Sequence, residues 1–311
     1  PEITKKVWDA VKELNYTADM VARSMTKNET RQLAVLANDL SNPYFAEIIT
    51  GFENAAIDNN YLVSICTAQR EIENYIRRLI AQRIDGVFIV GMPPLSDEKY
   101  HEIIFNMVEA GIRVLINGII LKDSKEISHI FVDHMTGIDK AVSYLKSMGH
   151  THIAMVSTFG RNSNFDIRDR MFFSAMDKYL PDSPKIFVSE TGIRNPDMDS
   201  SYSLTKRLLT DHPEVTAVIC LNDLMAYGVI QAATYFNKSV PDELSVIGMD
   251  DIYISRNFNP TVTSIGFDKR EYGMMAFELL YNHIKKNIVK DIDIRTELYI
   301  RSSTGLAPGL K

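Results

Sequence analysis

The chain has little cysteine and no long apolar run, and both shortages exclude classes of protein. It contains two cysteines in 311 residues, too few for the disulfide framework of a small secreted domain. Cys66 and Cys220 lie inside apolar, strand-like stretches, which favours buried, reduced thiols over a single buried disulfide. No apolar run approaches the roughly 18 residues that a membrane-spanning helix needs. We therefore expect a globular protein of the cytoplasm.

The chain also lacks an excess of positive charge. Its formal net charge is −6 at pH 7, so no overall positive field attracts nucleic acid. Residues 1–31 carry only a slight excess of Lys and Arg over Asp and Glu. The sequence opens on Pro1 rather than Met, at the start of a stretch, 3–14, that is typical of a helix. We expect the native protein to extend further upstream.

The common sequence motifs of enzymes are missing. No G-x-G-x-x-G follows the first strand-like stretch, no phosphate loop ends in Gly-Lys-Ser/Thr, and G-x-S-x-G does not occur. The stretch "GMDD" at 248–251 pairs two carboxylates at a strand end. Such a pair could bind Mg²⁺ or accept a phosphoryl group, but one Asp more often caps the next helix while the other faces a cleft.

Two histidines two residues apart, His150 and His152 in "GHTH", are the other candidate for metal chemistry. The sequence offers no obvious third ligand. A helix that ends at Gly149, followed by surface and edge residues, is the simpler interpretation. We predict no catalytic residue, no metal site and no cofactor, and hence no enzyme.

What the sequence has is a regular alternation of short apolar, β-branched stretches with helical ones. Strand–helix alternation predicts parallel sheets with helices on both faces. Because the alternation occurs in two series, the fold class is α/β with two lobes. The predicted strands are 33–38, 62–66, 86–91, 113–117, 129–133, 152–157, 185–189, 217–222, 244–250, 262–267 and 298–303. The predicted helices are 44–60, 72–83, 98–110, 135–148, 166–179, 199–211, 223–236 and 269–286.

Ligands of open α/β sheets bind at the carboxyl ends of the strands, and several residues there are suited to binding without reaction. Tyr44 and Phe45 open the first helix of the alternation and either pack in the core or form a stacking surface. Arg168 is either a donor to hydroxyl or carboxylate groups or a charge on a helix surface. With Asp250 as an acceptor, this set is suited to a polyhydroxy ligand.

A series of stretches, in order and at matching spacing, resembles the LacI/GalR family of bacterial transcriptional regulators from end to end. Each stretch alone is weak, and together they are specific. They are "KKVWDAVKELNY", "VARSM", "NPYFAEIITGFENAA", "QRIDGVFI", "VDHMTGIDKAVSYLKSMGHTHIAMVS", "NDLMAYGVIQA", "VPDELSVIGMDD" and "TSIGF".

The resemblance implies a periplasmic-binding-protein-like type I core, with two Rossmann-like lobes that contain parallel sheets. A helical headpiece remnant and a hinge helix precede it at 1–30. The N-terminal lobe is 31–132 with 267–296, and the C-terminal lobe is 133–266 with 297–311. Family members read bases with a helix-turn-helix, of which only the third helix is present here. We therefore expect this chain to bind its operator DNA poorly.

The resemblance also assigns a role to the short stretch "NYTADMVARSM", 15–25, as the hinge that orders on operator DNA. By position Met25 is the wedge in the minor groove, Ala22 lies beside it, and Val21 faces the twin helix. The family's Tyr-x-Pro-Asn is replaced by residues 16–19, Tyr-Thr-Ala-Asp, and the usual Leu wedge is Met. A linker that stays disordered without DNA is the alternative.

The family's effector contacts can be carried over by position, and they imply a homodimeric repressor whose partners are operator DNA and a small metabolite, most simply a sugar. Asn117 stands where Asp is common, and Phe267 where the lactose repressor has a polar Gln, so the site is more aromatic and less acidic than a simple sugar site. The implied effector-binding residues are Tyr44, Phe45, Asn117, Arg168, Asn222, Asp250 and Phe267.

Two other functions share this fold. A solute-binding protein of a transporter has the same core, but it is exported and has no hinge segment. A regulator core can also be controlled by a phosphoprotein that docks on a basic patch of the N-terminal lobe. Arg77, Arg78 and Arg83 could form that patch, or they could be a solvated helix face.

Overall fold

The structure, a computed structural model, begins with a helix, and two sheets with their helices follow it. Helix α1 spans Glu2–Glu13. The predicted hinge residues Val21, Ala22 and Met25 lie outside the described residues. The structure describes residues 2–13, 29–67, 71–91, 97–118, 125–158, 167–189 and 197–310.

The first sheet is six-stranded, with the order β11-β5-β4-β3-β1-β2, and its neighbouring strands are all parallel. Its central strands are buried on both faces, which explains why they are continuous apolar runs in the sequence. The strands are β1 Gln32–Leu36, β2 Leu62–Cys66, β3 Gly86–Ile89, β4 Arg113–Asn117, β5 Ile127–Asp133 and β11 Asp291–Arg295. Its helices are α2 Pro43–Asp58, α3 Ile72–Ala81, α4 Asp97–Glu109 and α9 Lys269–Lys286.

The second sheet is also six-stranded, with the order β12-β10-β9-β8-β6-β7. Its edge strand β12 is antiparallel to β10, and the other pairs are parallel. The strands are β6 Ile153–Val156, β7 Ile186–Val188, β8 Ala217–Cys220, β9 Ser245–Asp250, β10 Thr263–Gly266 and β12 Glu297–Tyr299. Its helices are α5 His134–Ser147, α6 Arg168–Tyr179, α7 Met198–Asp211, α8 Asp223–Tyr235 and a 3₁₀ turn at Tyr253–Arg256.

Within the described ranges the chain passes from one sheet to the other three times, after Asp133, after Gly266 and after Arg295. Each passage joins the carboxyl end of a strand in one sheet to an element of the other. The carboxyl ends of β4, β8 and β9 therefore lie near these passages, where side chains from both sheets can meet. The predicted α/β fold class with two parallel-stranded lobes is confirmed.

The structure differs from the sequence prediction at the last strands. The predicted strand at 298–303 is the shorter β12, Glu297–Tyr299, and β11 at Asp291–Arg295 was not predicted. Strand β11 alternates exposed and half-buried residues at the edge of its sheet. Its charged residues are typical of a loop, so the sequence does not indicate a strand. Its pairing with β5 depends on the tertiary fold.

Buried side chains fill both faces of the two sheets. Cys66 and Cys220 are both buried at the ends of β2 and β8, and neither forms a disulfide. Among the residues that the structure describes, none of the helices has the length and apolar composition needed to span a membrane.

Candidate functional site

The candidate site begins at the amino end of α2, where two aromatic residues enter the region between the sheets. Asn42 caps the helix by accepting a hydrogen bond from the backbone N–H of Tyr44, and Pro43 occupies the first turn. The rings of Tyr44 and Phe45 meet edge to face, with centroids 5.2 Å apart. Tyr44 also contacts Phe267 edge to face at 6.1 Å, so the strand-to-helix turn fixes both rings.

The Tyr44 hydroxyl is the point at which groups from both sheets meet. Burial raises the pKa of Tyr44 well above its ordinary value, and the Asp250 carboxylate raises it further. The Arg168 guanidinium and a hydrogen bond with Asn117 act in the opposite direction and lower this pKa. Asn117 ends β4 of the first sheet, whereas Asp250 ends β9 of the second. Three of the predicted residues therefore act on the phenol of a fourth, Tyr44.

Asn117 is held by two neighbours besides Tyr44. Its Nδ2 donates to the backbone carbonyl of Val90 at 3.1 Å. Its Oδ1 accepts a hydrogen bond from the Tyr272 hydroxyl at 2.9 Å. The side chain thus links the end of β4 to α9 and to the residue that follows β3, at the carboxyl edge of the first sheet.

Arg168 and Asn222 lie at the carboxyl edge of the second sheet. Arg168, the first residue of α6, donates from Nη1 to the carbonyl of Leu221 at 3.2 Å. Asn222 follows directly and caps α8, because its Oδ1 accepts from the backbone N–H of Met225 at 2.8 Å. The structure therefore gives Asn222 a capping role that the family resemblance did not imply.

The strand end at Asp250 has an unusual backbone that a buried lysine stabilises. Asp250 and Asp251 have positive φ angles of 103° and 49°, which non-glycine residues seldom adopt. The ammonium of Lys269 is buried, and it donates to the carbonyl oxygens of Asp250 at 2.6 Å and Asp251 at 2.7 Å. It also donates to the carbonyl of Phe267 at 3.2 Å. The lysine therefore fixes the loop that presents the Asp250 carboxylate.

The prediction that an Asp of "GMDD" caps the next helix is wrong. Asp251 instead forms ion pairs with Arg256 at 2.8 Å and Arg301 at 2.5 Å. The 3₁₀ turn that follows is held by Asp223 of α8, whose Oδ2 accepts from the N–H of Ile252 at 2.8 Å. The cap therefore comes from a residue that is close in space and distant in sequence.

The prediction for "GHTH" is also partly wrong. Gly149 follows α5 with a φ of +89°, as expected for a helix-ending glycine. His150, however, is buried rather than at the surface, and its Nδ1 lies 2.9 Å from Thr216 Oγ1. Its Nε2 lies 3.1 Å from the carbonyl of Gly305. Across the described ranges no group of three His, Cys, Asp or Glu side chains is arranged to hold a metal ion.

Comparison with known proteins identifies the family. A model of the periplasmic binding protein-like domain matches residues 142–304. The repressor PurR of Proteus mirabilis is 30% identical over 97% of this chain and 88% of the relative. PurR of Aliivibrio fischeri is 32% identical over 90% of this chain and 82% of the relative. The chain belongs to the LacI/GalR family of transcriptional regulators.

Solved structures of LacI-family proteins have the same fold. A LacI family regulator from Enterococcus faecium with bound ribose is 25% identical, with a TM-score of 0.76, over 88% of this chain and 98% of its own. The regulator CelR in complex with cellobiose is 21% identical, with a TM-score of 0.75, over 97% of this chain and 91% of its own. The prediction that the chain is not an enzyme is confirmed, because the relatives that match most of its length are repressors.

Two residues of the candidate site were not predicted from the sequence, and three predicted residues, Asn222, Phe267 and Asp250, have little exposed surface. Lys269 and Tyr272 lie in the charged stretch "DKREYG", which is typical of an exposed helix start, yet both are buried. Phe267 is only 6% exposed and belongs to the core of the first sheet. Its ring supports Tyr44 and Tyr272, so its contact with an effector remains a prediction.

Proposed function

We propose that the protein is a ligand-responsive transcriptional repressor whose effector is a neutral polyhydroxy molecule, a sugar, bound between the two sheets. The observation that carries this proposal is the meeting of Asn117, Arg168 and Asp250 at the hydroxyl of Tyr44. These side chains combine hydrogen-bond donors with a carboxylate acceptor, as hydroxyl groups require. The aromatic rings of Tyr44 and Phe45 provide an apolar surface for the carbon face of the ligand.

The charges of the site favour a neutral effector over a phosphorylated one. One cation, Arg168, and one anion, Asp250, flank the Tyr44 hydroxyl. The nearby Lys269 ammonium is buried and donates to three backbone carbonyls. A phosphate ester would therefore meet the Asp250 carboxylate at short range, and among the described residues that act on Tyr44 the Arg168 guanidinium is the one cation that offsets it. The aromatic rings also make a flat neutral heterocycle, such as a purine base, the second candidate.

We further propose that each sheet with its helices forms one lobe, divided as 31–132 with 267–296 and 133–266 with 297–311. Residues 1–30 then belong to the DNA-binding headpiece and hinge, and two chains form a homodimer on operator DNA. The relatives named as repressors support this assignment. An effector that prefers one arrangement of the lobes shifts the population toward it, and DNA and effector affinities are then linked reciprocally.

A thermal-shift screen tests the effector proposal. The panel contains D-ribose, D-glucose, sucrose, the corresponding sugar phosphates and purine bases. At a hundredfold excess over its Kd, a ligand that binds only the folded chain adds roughly 2.7 kcal/mol of stability. We expect a neutral sugar to shift the wild type and to leave Arg168→Ala unshifted. Arg207→Ala is the matched control, because Arg207 also donates to a backbone carbonyl, that of Ser189, outside the site.

Two results would contradict the effector proposal. Equal shifts in the wild type and in Arg168→Ala would remove Arg168 from the binding site. The absence of any shift across the panel would favour the alternative of a phosphoprotein partner. Reversal of Arg77, Arg78 and Arg83 to Glu would then be tested for loss of that partner.

A further inference from the structure

We propose that Lys269 and Asp223 are positioning residues of the effector site, which together hold the turn at Asp250 and Asp251 so that it presents the Asp250 carboxylate. This inference rests on the proposed function, because that carboxylate belongs to the proposed site. Neither Lys269 nor Asp223 is expected to touch the effector. Each acts through the backbone of the turn, one on its carbonyl oxygens and the other on its N–H groups.

Lys269 holds the carbonyl side of the turn. Its ammonium carries three donors and no acceptor, and a backbone carbonyl only accepts, so each bond between them has one possible direction. The three acceptors are the carbonyl oxygens of Asp250 at 2.6 Å, Asp251 at 2.7 Å and Phe267 at 3.2 Å. Lys269 is 2% exposed, and all three protons of its ammonium are therefore used inside the protein.

Asp223 holds the N–H side of the same turn. The backbone N–H of Ile252 donates to Asp223 Oδ2 at 2.8 Å. The backbone N–H of Asp251 donates to Ser264 Oγ at 3.0 Å, and Ser264 Oγ donates to Asp223 Oδ1 at 2.6 Å. Asp223 and Ser264 are both fully buried, and a Cβ at Gly248 would overlap Asp223 Oδ1. The carboxylate thus binds one N–H directly and is linked to the other by a single hydroxyl.

Two successive peptide groups therefore lie between a cation and an anion. The C=O and N–H of a trans peptide point in opposite directions, so Lys269 lies on one side of both groups and Asp223 on the other. Successive carbonyls of an extended strand point to opposite sides, whereas the carbonyls of Asp250 and Asp251 share one ammonium. That arrangement requires a helical backbone at the residue between the two groups, Asp251, whose φ is 49°.

The backbone of this turn is unfavourable without its two partners. A left-handed φ brings Cβ too close to the next carbonyl oxygen, and the φ of 103° at Asp250 is also unusual. Loss of the partner on either side should let the turn relax and move the Asp250 carboxylate. Asp223 begins α8 of the second sheet and Lys269 begins α9 of the first, so elements of both sheets fix the turn.

Asp223 acts as an acceptor in its ionised form. Burial raises the pKa of Asp223 to about 7, and the hydrogen bonds from Ser264, Ser255 and Ile252 oppose that rise, whereas Asp251 adds to it. The carboxylate is ionised at pH 8, and the measurements below are therefore made at that pH.

The first test uses the protein without ligand and follows the amide proton of Ile252. Lys269→Met and Ser264→Ala each remove one partner of the turn, and neither removes the acceptor of the Ile252 N–H. NMR of the chain labelled with ¹⁵N-isoleucine measures hydrogen exchange of this amide, which is assigned by its loss in Ile252→Leu. Because the turn is held as a unit, we expect exchange about tenfold faster in both variants.

Two matched controls leave the turn intact. Lys285→Met removes an ammonium from the other end of α9, where it pairs with Glu29. Ser201→Ala removes a buried hydroxyl of α7 that donates to the Met198 carbonyl at 2.9 Å. We expect the Ile252 amide to exchange at the wild-type rate in both controls.

The second test measures whether Lys269 preforms the turn for binding. Asp251→Gly and Asp251→Ala both remove the carboxylate, and they differ in the cost of a positive φ. Titration calorimetry with D-ribose, D-glucose and sucrose gives their Kd with Lys269 and in the Lys269→Met background. With Lys269 the turn is preformed, so we expect one Kd for both. Without the ammonium we expect Asp251→Ala to bind about tenfold more weakly than Asp251→Gly, because binding must then form a left-handed residue that has a Cβ.

Several outcomes would overturn the positioning role. Wild-type exchange of the Ile252 amide in either variant overturns it, and Ser264→Ala alone decides this test if Lys269→Met does not fold. Equal Kd values for the two Asp251 variants in the Lys269→Met background also overturn it. If neither Asp251 variant binds a sugar that the wild type binds, Ser264→Ala is compared with Ser201→Ala. We expect a loss of affinity of about tenfold in Ser264→Ala alone, and equal affinities would overturn the role.

The same outcomes separate this inference from the proposed function. Unchanged exchange of the Ile252 amide overturns the positioning role even if a sugar binds the wild type. If exchange accelerates and no ligand of the panel binds the wild type, Lys269 and Asp223 hold the turn as proposed and the proposed sugar effector fails.

Discussion

At the scale of single residues, the least predictable features are buried polar groups whose partners are distant in sequence. Asp223 follows Asn222 and resembles an ordinary helix start, yet it is buried and accepts from Ser255 and Ser264. Burial raises the pKa of Asp223 to about 7, and these hydrogen bonds oppose that rise. Periodicity cannot reveal such partners, because they depend on which strands become neighbours.

His283 of α9 provides a stability test at this scale. It is buried, and within the described part of the chain neither ring nitrogen has a hydrogen-bond partner. Burial, with a further contribution from Arg113, lowers the pKa of His283 from 6.5 to about 4. Between about pH 6.5 and pH 4, His283 is therefore protonated in the unfolded chain and neutral in the folded chain.

Stability from His283 is thus present above pH 6.5 and is lost as the pH falls toward 4. We expect the loss to be on the order of 2 to 3 kcal/mol in the free energy of unfolding, and we expect His283→Leu to lack it. Urea denaturation at pH 7 and pH 4.5 measures it. His212→Leu is the control, because that ring is 42% exposed. An identical pH dependence in the wild type and His283→Leu would contradict the account.

At the scale of elements, the sequence predicts most helices and strands within a few residues. Strong periodicity and clear caps explain this success, as in α2, where Asn42 and Pro43 mark the start. The sequence does not predict strand β11, because an exposed edge strand needs no apolar pattern. The close approach of α2 and α9 could not be predicted either, because it depends on two glycines in different parts of the chain.

Gly51 of α2 tests that helix contact. A Cβ at Gly51 would lie 2.1 Å from the backbone carbonyl oxygen of Arg270, and one at Gly273 would lie 2.1 Å from that of Ile48. Because backbone atoms cannot move aside as a flexible side chain does, we expect Gly51→Ala to lower the free energy of unfolding by about 3 kcal/mol. Gly305→Ala is the control, since its nearest neighbour would be 3.4 Å away. Equal urea midpoints for the two variants would refute the close packing of α2 and α9.

At the scale of the whole molecule, the two sheets also touch through a contact across the site. The backbone N–H of Tyr253, in the 3₁₀ turn of the second sheet, donates to Glu47 Oε1 of α2 at 3.1 Å. Sequence alternation predicts two lobes, but it contains no information on how they approach each other. The placement of Tyr44 and Asp250 in one site was expected from their positions at the carboxyl ends of strands and from the family resemblance.

The Glu47 contact should favour the arrangement that closes on an effector. We expect Glu47→Ala to weaken binding of the panel sugar about threefold, as is typical of an exposed polar contact. Glu53→Ala, an exposed glutamate on the same helix, should bind as the wild type does. Titration calorimetry measures the Kd of the sugar for both variants. An equal loss of affinity in Glu47→Ala and Glu53→Ala would mean that the Glu47 contact has no specific role.

The central claim is that a neutral sugar binds between the sheets on Tyr44, Arg168 and Asp250. The most direct measurement is calorimetric titration of the wild type with D-ribose and D-ribose 5-phosphate, and with D-glucose and D-glucose 6-phosphate. The account predicts that at least one neutral sugar binds and that its phosphate ester binds about tenfold more weakly or not at all. Tighter binding of the phosphate ester, or binding of neither member of both pairs, would contradict it.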